Sequence, residues 1–222
     1  MTEFLHASPV PAPEPLLVGA PGHGYPLPWS LQTWIAGTVA SPTAMELSWA
    51  FADDLASLIS GLRAADARGR TFDGDNRGGD LAAHEAWVSE CIARSEELLD
   101  TTALLRLWLR LRDLPRDEPD CMSHTDLIPA NLLIADGRLM GVLDTGDFRA
   151  ADPALDLVAG WHLLADGPRS ALRTALGCTD LQWERGKAWA FVQAVGLVWY
   201  YTSTNPTMAL LGRTTLARLL GD

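Results

Sequence analysis

The stretch that decides the fold is His124-Thr125-Asp126-Leu127-Ile128-Pro129-Ala130-Asn131, followed by Leu143-Asp144-Thr145-Gly146. It places a histidine, an aspartate and an asparagine at the spacing H-x-D-x-x-x-x-N, and a second aspartate follows. A carboxylate can accept the proton of an attacking hydroxyl group, and carboxylate and amide oxygens are ligands that suit Mg²⁺. The pattern therefore predicts Asp126 as a catalytic base, and Asn131 with Asp144 as a metal site.

A hairpin is expected to bring the two metal ligands together. Leu132-Leu133-Ile134 is a short apolar strand, Asp136-Gly137 is a strong two-residue turn signal, and residues 139–143 form the returning strand. Asn131 precedes the first strand and Asp144 follows the second. Both side chains should therefore reach one metal ion.

Residues 124–157, which end in Asp152-Pro153-Ala154-Leu155-Asp156-Leu157, resemble the aminoglycoside phosphotransferase family, a small-molecule branch of the protein-kinase-like fold. Residues 25–34 are similar to the segment that enters that family's interlobe hinge. Residues 199–201 and Asn205-Pro206 are similar to its last helices. The resemblance covers nearly the whole chain, and the catalytic stretch is its specific part.

The resemblance implies an α+β, protein-kinase-like fold. Residues 1–40 would be the remnant of a truncated small β lobe and the hinge, and residues 41–222 a mostly helical catalytic lobe. The implied reaction moves the γ-phosphate of ATP or GTP, held with Mg²⁺, to a hydroxyl of a small antibiotic-like or amino-sugar acceptor. The hinge backbone at Trp34 and Ile35 would receive the adenine.

Three further residues of the stretch have expected roles. His124 belongs to the catalytic set with Asp126, and we expect it to orient the loop rather than to carry a proton. The resemblance implies that Asp156 braces the loop through backbone N–H groups. Asp152, followed by a proline, reads as the cap of a helix start.

The chain departs from the kinase pattern at the phosphate-binding parts. Its one lysine, Lys187, occurs too late to contact nucleotide phosphates and is expected to be a solvated helix-end residue. No G-x-G-x-x-G occurs, and residues 19–24 read as a turn. Thr125 stands where the family usually has a small Gly or Ser, and Thr145 stands where it usually has an aromatic residue. A clipped start, a shortened inactive relative or a partner chain that supplies the missing half could each account for the absence.

Composition bounds the possible partners. The net charge of −11, from 28 acidic and 17 basic residues, disfavours nucleic acid and anionic membranes and is compatible with a polycationic acceptor. Cys91, Cys121 and Cys178 have no C-x-x-C spacing, and no signal peptide is evident, so a cytoplasmic protein is expected. The shortened small lobe should expose apolar surface, which favours self-association.

Periodicity and turn signals predict the remaining elements. A strand is expected over residues 30–35, a hinge at Gly37, a helix that begins at Ser41-Pro42, and a loop over residues 68–79. Helices follow near residues 81–99 and 101–114, the second with a buried stripe of Leu104, Leu105, Trp108 and Leu111. After Asp152 about four helical pieces are expected, broken near Gly167-Pro168, Gly177 and Asn205-Pro206.

The acceptor pocket is the least determined feature. Of the nine tryptophans most should pack in the core. One or two of Trp161, Trp199 and Tyr200 could line the pocket, which would favour an apolar acceptor. Carboxylates for a cationic acceptor would have to come from Asp147 or the region of Asp166.

Overall fold

The computed structural model describes residues 2–74 and 76–221 and shows a mixed α+β fold in which helices dominate. The strands form three small antiparallel sheets, β1–β2, β3–β5–β6 and β4–β7. The strands are β1 (Pro15–Gly19), β2 (Trp29–Gln32), β3 (Thr38–Val39), β4 (Cys121–Ser123), β5 (Leu132–Ala135), β6 (Arg138–Val142) and β7 (Arg149–Ala151). The helices are α1 (Thr2–Ala7), α2 (Trp49–Ala64), α3 (Glu85–Arg94), α4 (Thr101–Leu111), α5 (Val158–Leu163), α6 (Asp166–Leu176), α7 (Asp180–Ala194), α8 (Leu197–Tyr201) and α9 (Pro206–Gly221). The expected fold class is confirmed.

The β1–β2 sheet stands apart from the core. Its strands pair from Pro15↔Gln32 to Gly19↔Trp29, and every residue of β2 is exposed. The strand expected over residues 30–35 ends at Gln32. Thr33 still donates its backbone N–H to the Glu14 carbonyl, but the Glu14 N–H donates to the Thr33 side-chain Oγ1 instead of a backbone carbonyl. Two strands exposed on both faces bury too little apolar surface to be stable alone.

Residues 3–12 pack on the helical part of the protein. The Phe4 ring is fully buried and meets the rings of His124 and Phe148 edge-on, at centroid distances of 5.7 and 5.2 Å. The carbonyl of Pro11 accepts a hydrogen bond from the backbone N–H of Val142, at 2.9 Å. This segment therefore supports the hairpin and the loop that carries His124.

Helix α2 begins seven residues later than expected. Ser48 is its N-cap, with Oγ accepting from the backbone N–H of Phe51 at 3.2 Å. Ser41 caps only a turn, since its Oγ accepts from Ala44, and Leu47 is 73% exposed. The prediction of a helix start at Ser41-Pro42 was wrong because a second capping serine, closer to the apolar run, forms the actual helix start.

The two following helices are shorter than expected, and one buried position differs. The region predicted as a helix over residues 81–99 is a 3₁₀ turn at Leu81–His84 and then α3, and α4 ends at Leu111. On α4 the buried face is Leu104, Leu107, Trp108 and Leu111, whereas Leu105 is 44% exposed. The prediction that Leu105 is buried was wrong, because positions 104, 107, 108 and 111 lie on one face of the helix and position 105 does not.

Helix α7 lies at the centre of the helical part of the protein, which we call the large lobe. It contacts α4, α5, α9 and the 3₁₀ turn at Leu155–Leu157, so it is buried on all sides from Arg185 to Ala194. Lys187 lies in the middle of this run and is 3% exposed. The prediction of a solvated helix-end lysine was therefore wrong. The helix begins at Asp180, about two turns before Lys187, and Thr179 is its N-cap.

The breaks between the C-terminal helices largely follow the predicted signals. Gly177 ends α6 with φ 61°, and Pro206 is the first residue of α9. Gly167 and Pro168 instead lie in the first turn of α6, just after the break, where proline is tolerated. Among the described residues, none of the helices has the length and apolarity needed to cross a membrane.

Candidate active site

The predicted hairpin is present and aligns the two ends of the catalytic stretch. Asp136 and Gly137 both have positive φ, 49° and 75°, as a tight primed turn requires. At the open end of the hairpin the backbone N–H of Leu143 donates to the carbonyl of Asn131 at 2.8 Å. Asn131 and Asp144 are therefore fixed on neighbouring chain segments.

Asp126 is held from two sides. Its Oδ1 accepts from Arg77 Nη2 at 2.8 Å, and Asn131 Nδ2 donates to its backbone carbonyl at 2.9 Å and lies 3.3 Å from Oδ2. Burial raises the pKa of the Asp126 carboxyl; Arg77 and His124 oppose this rise, while the charge of Asp144 adds to it. The side chain remains 35% exposed and so stays accessible to a reactant.

Asp156 braces the loop as the resemblance implied. Its Oδ1 accepts from Ser123 Oγ at 2.8 Å and from the backbone N–H of Thr125 at 3.0 Å, and its Oδ2 accepts from the backbone N–H of His124 at 2.9 Å. Thr125 has φ 74°, a conformation that costs energy for a β-branched residue. The buried carboxylate thus holds the backbone in a strained geometry immediately before Asp126.

His124 uses both ring nitrogens inside the protein. Nε2 lies 2.9 Å from the carbonyl of Leu143, so it carries the proton, and Nδ1 then accepts from the backbone N–H of Asp126 at 3.3 Å. The ring is buried against Phe4. This arrangement suits a positioning residue that joins the loop to the returning strand.

Asp144 opens into a cavity of about 230 Å³ in front of Asp126. The residue is exposed, and its backbone adopts the left-handed conformation with φ 54°. The cavity is lined by Asn76, Arg77, His124, Thr125, Asp126, Asp144, Asp147 and Arg149. Two of these side chains also bond each other, since Thr125 Oγ1 donates to Asp147 Oδ2 at 3.2 Å.

The oxygen donors fit a Mg²⁺ ion that arrives with phosphates. The described residues contain no group of three or more His, Cys, Asp or Glu side chains able to hold a metal alone. Mg²⁺ commonly takes one or two protein carboxylates and completes its shell with water and substrate phosphates. The exposed carboxylate of Asp144, next to the segment that carries Asn131, matches that incomplete ligand set.

The hinge candidates lie beside the hairpin. Trp34 is 91% exposed. Ile35 is half-buried and packs against Gly141, where an added Cβ would lie only 2.7 Å from Ile35 Cγ2. Gly37 adopts φ 149° and passes so close to β5 that an added Cβ would stand 3.1 Å from Leu133 Cβ. A residue with a side chain would be strained there, so the glycine lets this segment approach the hairpin.

The structure adds residues that the spacing could not reveal. Arg77 reaches Asp126 from the loop 68–79, 49 positions earlier in the chain. Asp152 Oδ1 accepts from the backbone N–H of Ala154 and forms a turn before the 3₁₀ helix at Leu155–Leu157. The prediction of Asp152 as a helix N-cap was wrong, because Ala154 is the N-cap. The other carboxylate oxygen of Asp152, Oδ2, accepts from Arg185 Nε at 2.9 Å and from Trp189 Nε1 at 2.8 Å, so the residue is also half of a buried ion pair.

A second and larger cavity, of about 430 Å³, adjoins the first through Asn76 and Arg77. Its other lining residues are His84, Trp87, Val192, Gln193, Gly196, Leu197, Tyr200 and Tyr201. Of the three aromatic candidates only Tyr200 lines it. Trp161 is fully buried with Trp183 at a centroid distance of 4.5 Å, and Trp199 packs under the Arg94 guanidinium at 4.7 Å.

Comparisons with solved structures agree with this architecture. The GDP and kanamycin complex of APH(2″)-IIia superposes with a TM-score of 0.67 at 18% identity, covering 98% of this chain and 78% of that one. The macrolide 2′-phosphotransferase MphH from Brachybacterium faecium superposes with a TM-score of 0.57 at 17% identity, covering 97% and 77%. At these identities the likeness concerns the fold. The search of curated proteins finds no match.

The family assignment rests on a match of the amino-acid sequence to a family model. Residues 1–193 match the model of the phosphotransferase enzyme family, APH. The matched region includes the braced loop, the hairpin, Asp144 and most of α7. The chain therefore belongs to the phosphotransferase enzyme family.

Proposed function

We propose that the chain is a small-molecule kinase that transfers the γ-phosphate of ATP or GTP to a hydroxyl of its acceptor. The observation that carries the proposal is the position of Asp126. It follows a strained backbone braced by Asp156, bonds Asn131, and shares one cavity with Asp144. Phosphoryl transfer depends chiefly on such positioning and on charge stabilisation.

Asp126 would act as the base. Its carboxylate faces the cavity, and it would accept the proton of the acceptor hydroxyl as the oxygen attacks the phosphorus atom. Burial raises its pKa, which makes the ionised carboxylate a stronger base than a solvated one. His124 would hold the loop through its contacts with Leu143 and with the Asp126 backbone.

Asn131 and Asp144 would hold Mg²⁺, which when bound supplies positive charge to the nucleotide phosphates. The backbone at Trp34 and Ile35 would receive the nucleobase. We divide the chain accordingly into residues 1–40, the small-lobe remnant and hinge, and residues 41–222, the catalytic lobe. Structural neighbours include complexes with GDP and ADP, which supports a nucleotide in this place.

The acceptor would be a hydroxylated small molecule. Neighbours of the same fold include complexes with kanamycin, gentamicin and streptomycin as well as macrolide phosphotransferases. An antibiotic-like or amino-sugar acceptor, and a cytoplasmic enzyme, are compatible with these relatives. The exposed β1–β2 sheet supports self-association.

A second candidate is a catalytically inactive, kinase-like binding protein. The sequence offers one lysine, which is buried in α7, and no glycine-rich loop to cover phosphates. In addition the base is tied to Arg77 at 2.8 Å. These observations favour a protein that keeps the acceptor cavity but does not transfer phosphate.

The test compares two aspartate variants that each remove one negative charge. Asp126→Asn should lower phosphoryl transfer from labelled ATP or GTP by at least ~10²-fold, the usual contribution of a general base. Asp136→Asn changes an exposed residue in the turn of the neighbouring hairpin, a position that accommodates asparagine, and should leave the rate unchanged. Equal rates in Asp126→Asn and the parent would contradict the assignment. A parent chain that binds nucleotide but transfers nothing would support the inactive alternative.

A further inference from the structure

The larger cavity has an unusual charge pattern for a site in this acidic protein. Among the described residues, ten line it and none of them is an aspartate or glutamate, although the chain carries 28 acidic residues. Its walls are aromatic and aliphatic at Trp87, Leu197, Tyr200 and Tyr201. At about 430 Å³ it has the size of a small-molecule site. Such walls suit an apolar ring and offer no counter-charge to an amine.

Gln193 lines this cavity, and its amide nitrogen has no hydrogen-bond partner among the described residues. The residue is 8% exposed, its Oε1 accepts from His162 Nε2 at 2.9 Å, and its Nε2 is buried with no partner. Burial lowers the pKa of His162 to about 4, so the imidazole is neutral and donates from Nε2 while Nδ1 bonds Thr215. These hydrogen bonds fix the orientation of the Gln193 amide and leave its N–H groups without an acceptor among the described residues. An acceptor atom of a bound ligand would satisfy them.

Of the described residues that line the cavity, Arg77 is the one with a permanent charge. Its side chain lies between the two cavities, 35% exposed, and contacts Asp126 through Nη2. Its Nε is buried without a hydrogen-bond partner among the described residues. Burial and, to a smaller extent, the charge of Arg77 lower the pKa of His84 on the same wall, which disfavours its charged form.

We propose that this cavity binds an acceptor with an apolar ring and a carboxylate group, whose oxygens bond Arg77 and Gln193, rather than a polyamine. The proposal rests on the proposed function, since the acceptor's hydroxyl must reach Asp126 in the adjoining cavity. The carboxylate would compete with Asp126 for the guanidinium. Binding of the acceptor would thereby release the base from its ion pair.

The experiment measures binding to the full chain without nucleotide, by titration calorimetry and ligand-observed NMR. The probes share a phenyl ring and a hydroxyl group: phenyllactate is an anion, phenyllactamide is neutral and phenylalaninol is a cation. We expect phenyllactate to bind roughly tenfold more tightly than phenylalaninol, a difference typical of one charge-assisted contact. Kanamycin should bind no better than phenylalaninol.

Variants separate the cavity from general charge effects. Arg77→Gln should abolish the preference for the anion, and Arg77→Lys should retain part of it. Arg68→Gln removes one positive charge from an exposed position of the same loop region and should change nothing. Gln193→Leu should weaken phenyllactate and phenyllactamide alike, since both offer a carbonyl oxygen.

Asp126→Asn distinguishes this proposal from the proposed function. It removes the competing carboxylate, so phenyllactate should bind at least as tightly as to the parent even though transfer is lost. Tighter binding of phenylalaninol or kanamycin, or an anion preference that survives Arg77→Gln, would overturn the inference. Loss of phenyllactate binding in Asp126→Asn would overturn it as well.

Discussion

The catalytic loop and the β1–β2 sheet differ in how firmly buried contacts with the rest of the chain hold them in place. The loop before Asp126 is held by one buried carboxylate, Asp156, which accepts three hydrogen bonds. The sheet has two strands and turns Leu17 and Val18 to solvent at 52% and 72% exposure. Buried contacts therefore hold the catalytic loop, whereas the sheet lacks a core of its own.

The difference has a physical basis. A hydrogen-bonded carboxylate in a dry interior fixes the groups around it, because every lost bond would leave a buried polar atom unsatisfied. An apolar sheet without a covering layer gains little from burial and offers contiguous surface to other molecules. Substitutions should accordingly be costly in stability on the loop side and affect association on the sheet side.

The largest effect on stability is expected from the buried ion pair behind the loop. Asp152→Ala leaves the Arg185 guanidinium buried without its carboxylate and should reduce the free energy of unfolding by about 3–5 kcal/mol. Glu90→Ala breaks an exposed pair with Arg94 and should cost at most about 0.5 kcal/mol. Denaturant titration measures both, and equal costs would show that the ion pair does not stabilise the lobe.

The next largest effect is the pH dependence of the free energy of unfolding, to which His162 contributes. His162 has a pKa of about 4 in the fold against an ordinary value of 6.5, so the unfolded chain takes up a proton first as the pH falls. Its contribution to stability is complete above pH 6.5 and is lost as the pH falls towards 4. From pH 7 to pH 5 the loss should be about 2 kcal/mol.

His162→Gln provides the control, because it cannot titrate and retains an amide near Gln193 and Thr215. Its unfolding free energy should fall less steeply between pH 7 and pH 5 than that of the parent. The same slope in both proteins would mean that His162 is accessible to protons in the fold.

Prediction from the sequence succeeded where the signal is local. The spacing from His124 to Asn131 and the turn at Asp136-Gly137 lie within a few residues, so the loop and hairpin could be predicted. The start of α2 was misplaced because Ser41 and Ser48 both carry capping chemistry, and only packing selects between them.

Long-range contacts could not be predicted. Arg77 reaches Asp126 across 49 positions, and Asp152 pairs with Arg185 across 33. Lys187 sits inside a helix surrounded by others, where no amphipathic pattern indicates burial. A single sequence does not reveal such pairs, because no local spacing or periodicity marks them.

The smallest effect on stability is expected in the β1–β2 sheet. Leu17→Glu should change the free energy of unfolding by about 0.5 kcal/mol or less, as exposed sites usually do. It should also reduce self-association in sedimentation velocity, because it places a charge on the exposed apolar face. Leu105→Glu, on the exposed side of α4, should leave association unchanged. Equal association in the parent and in Leu17→Glu would exclude this sheet as the contact surface.

The most direct test of the phosphotransferase site is the Mg²⁺ dependence of nucleotide binding, which does not require turnover. Titration calorimetry of ATP and GTP should show weak binding that Mg²⁺ strengthens in the parent chain. Asp144→Asn keeps a residue that tolerates the left-handed conformation but removes the charge, and should lose most of this strengthening. Asn131→Ala should lose less of it. Affinity that is equal in all three proteins and independent of Mg²⁺ would contradict the account.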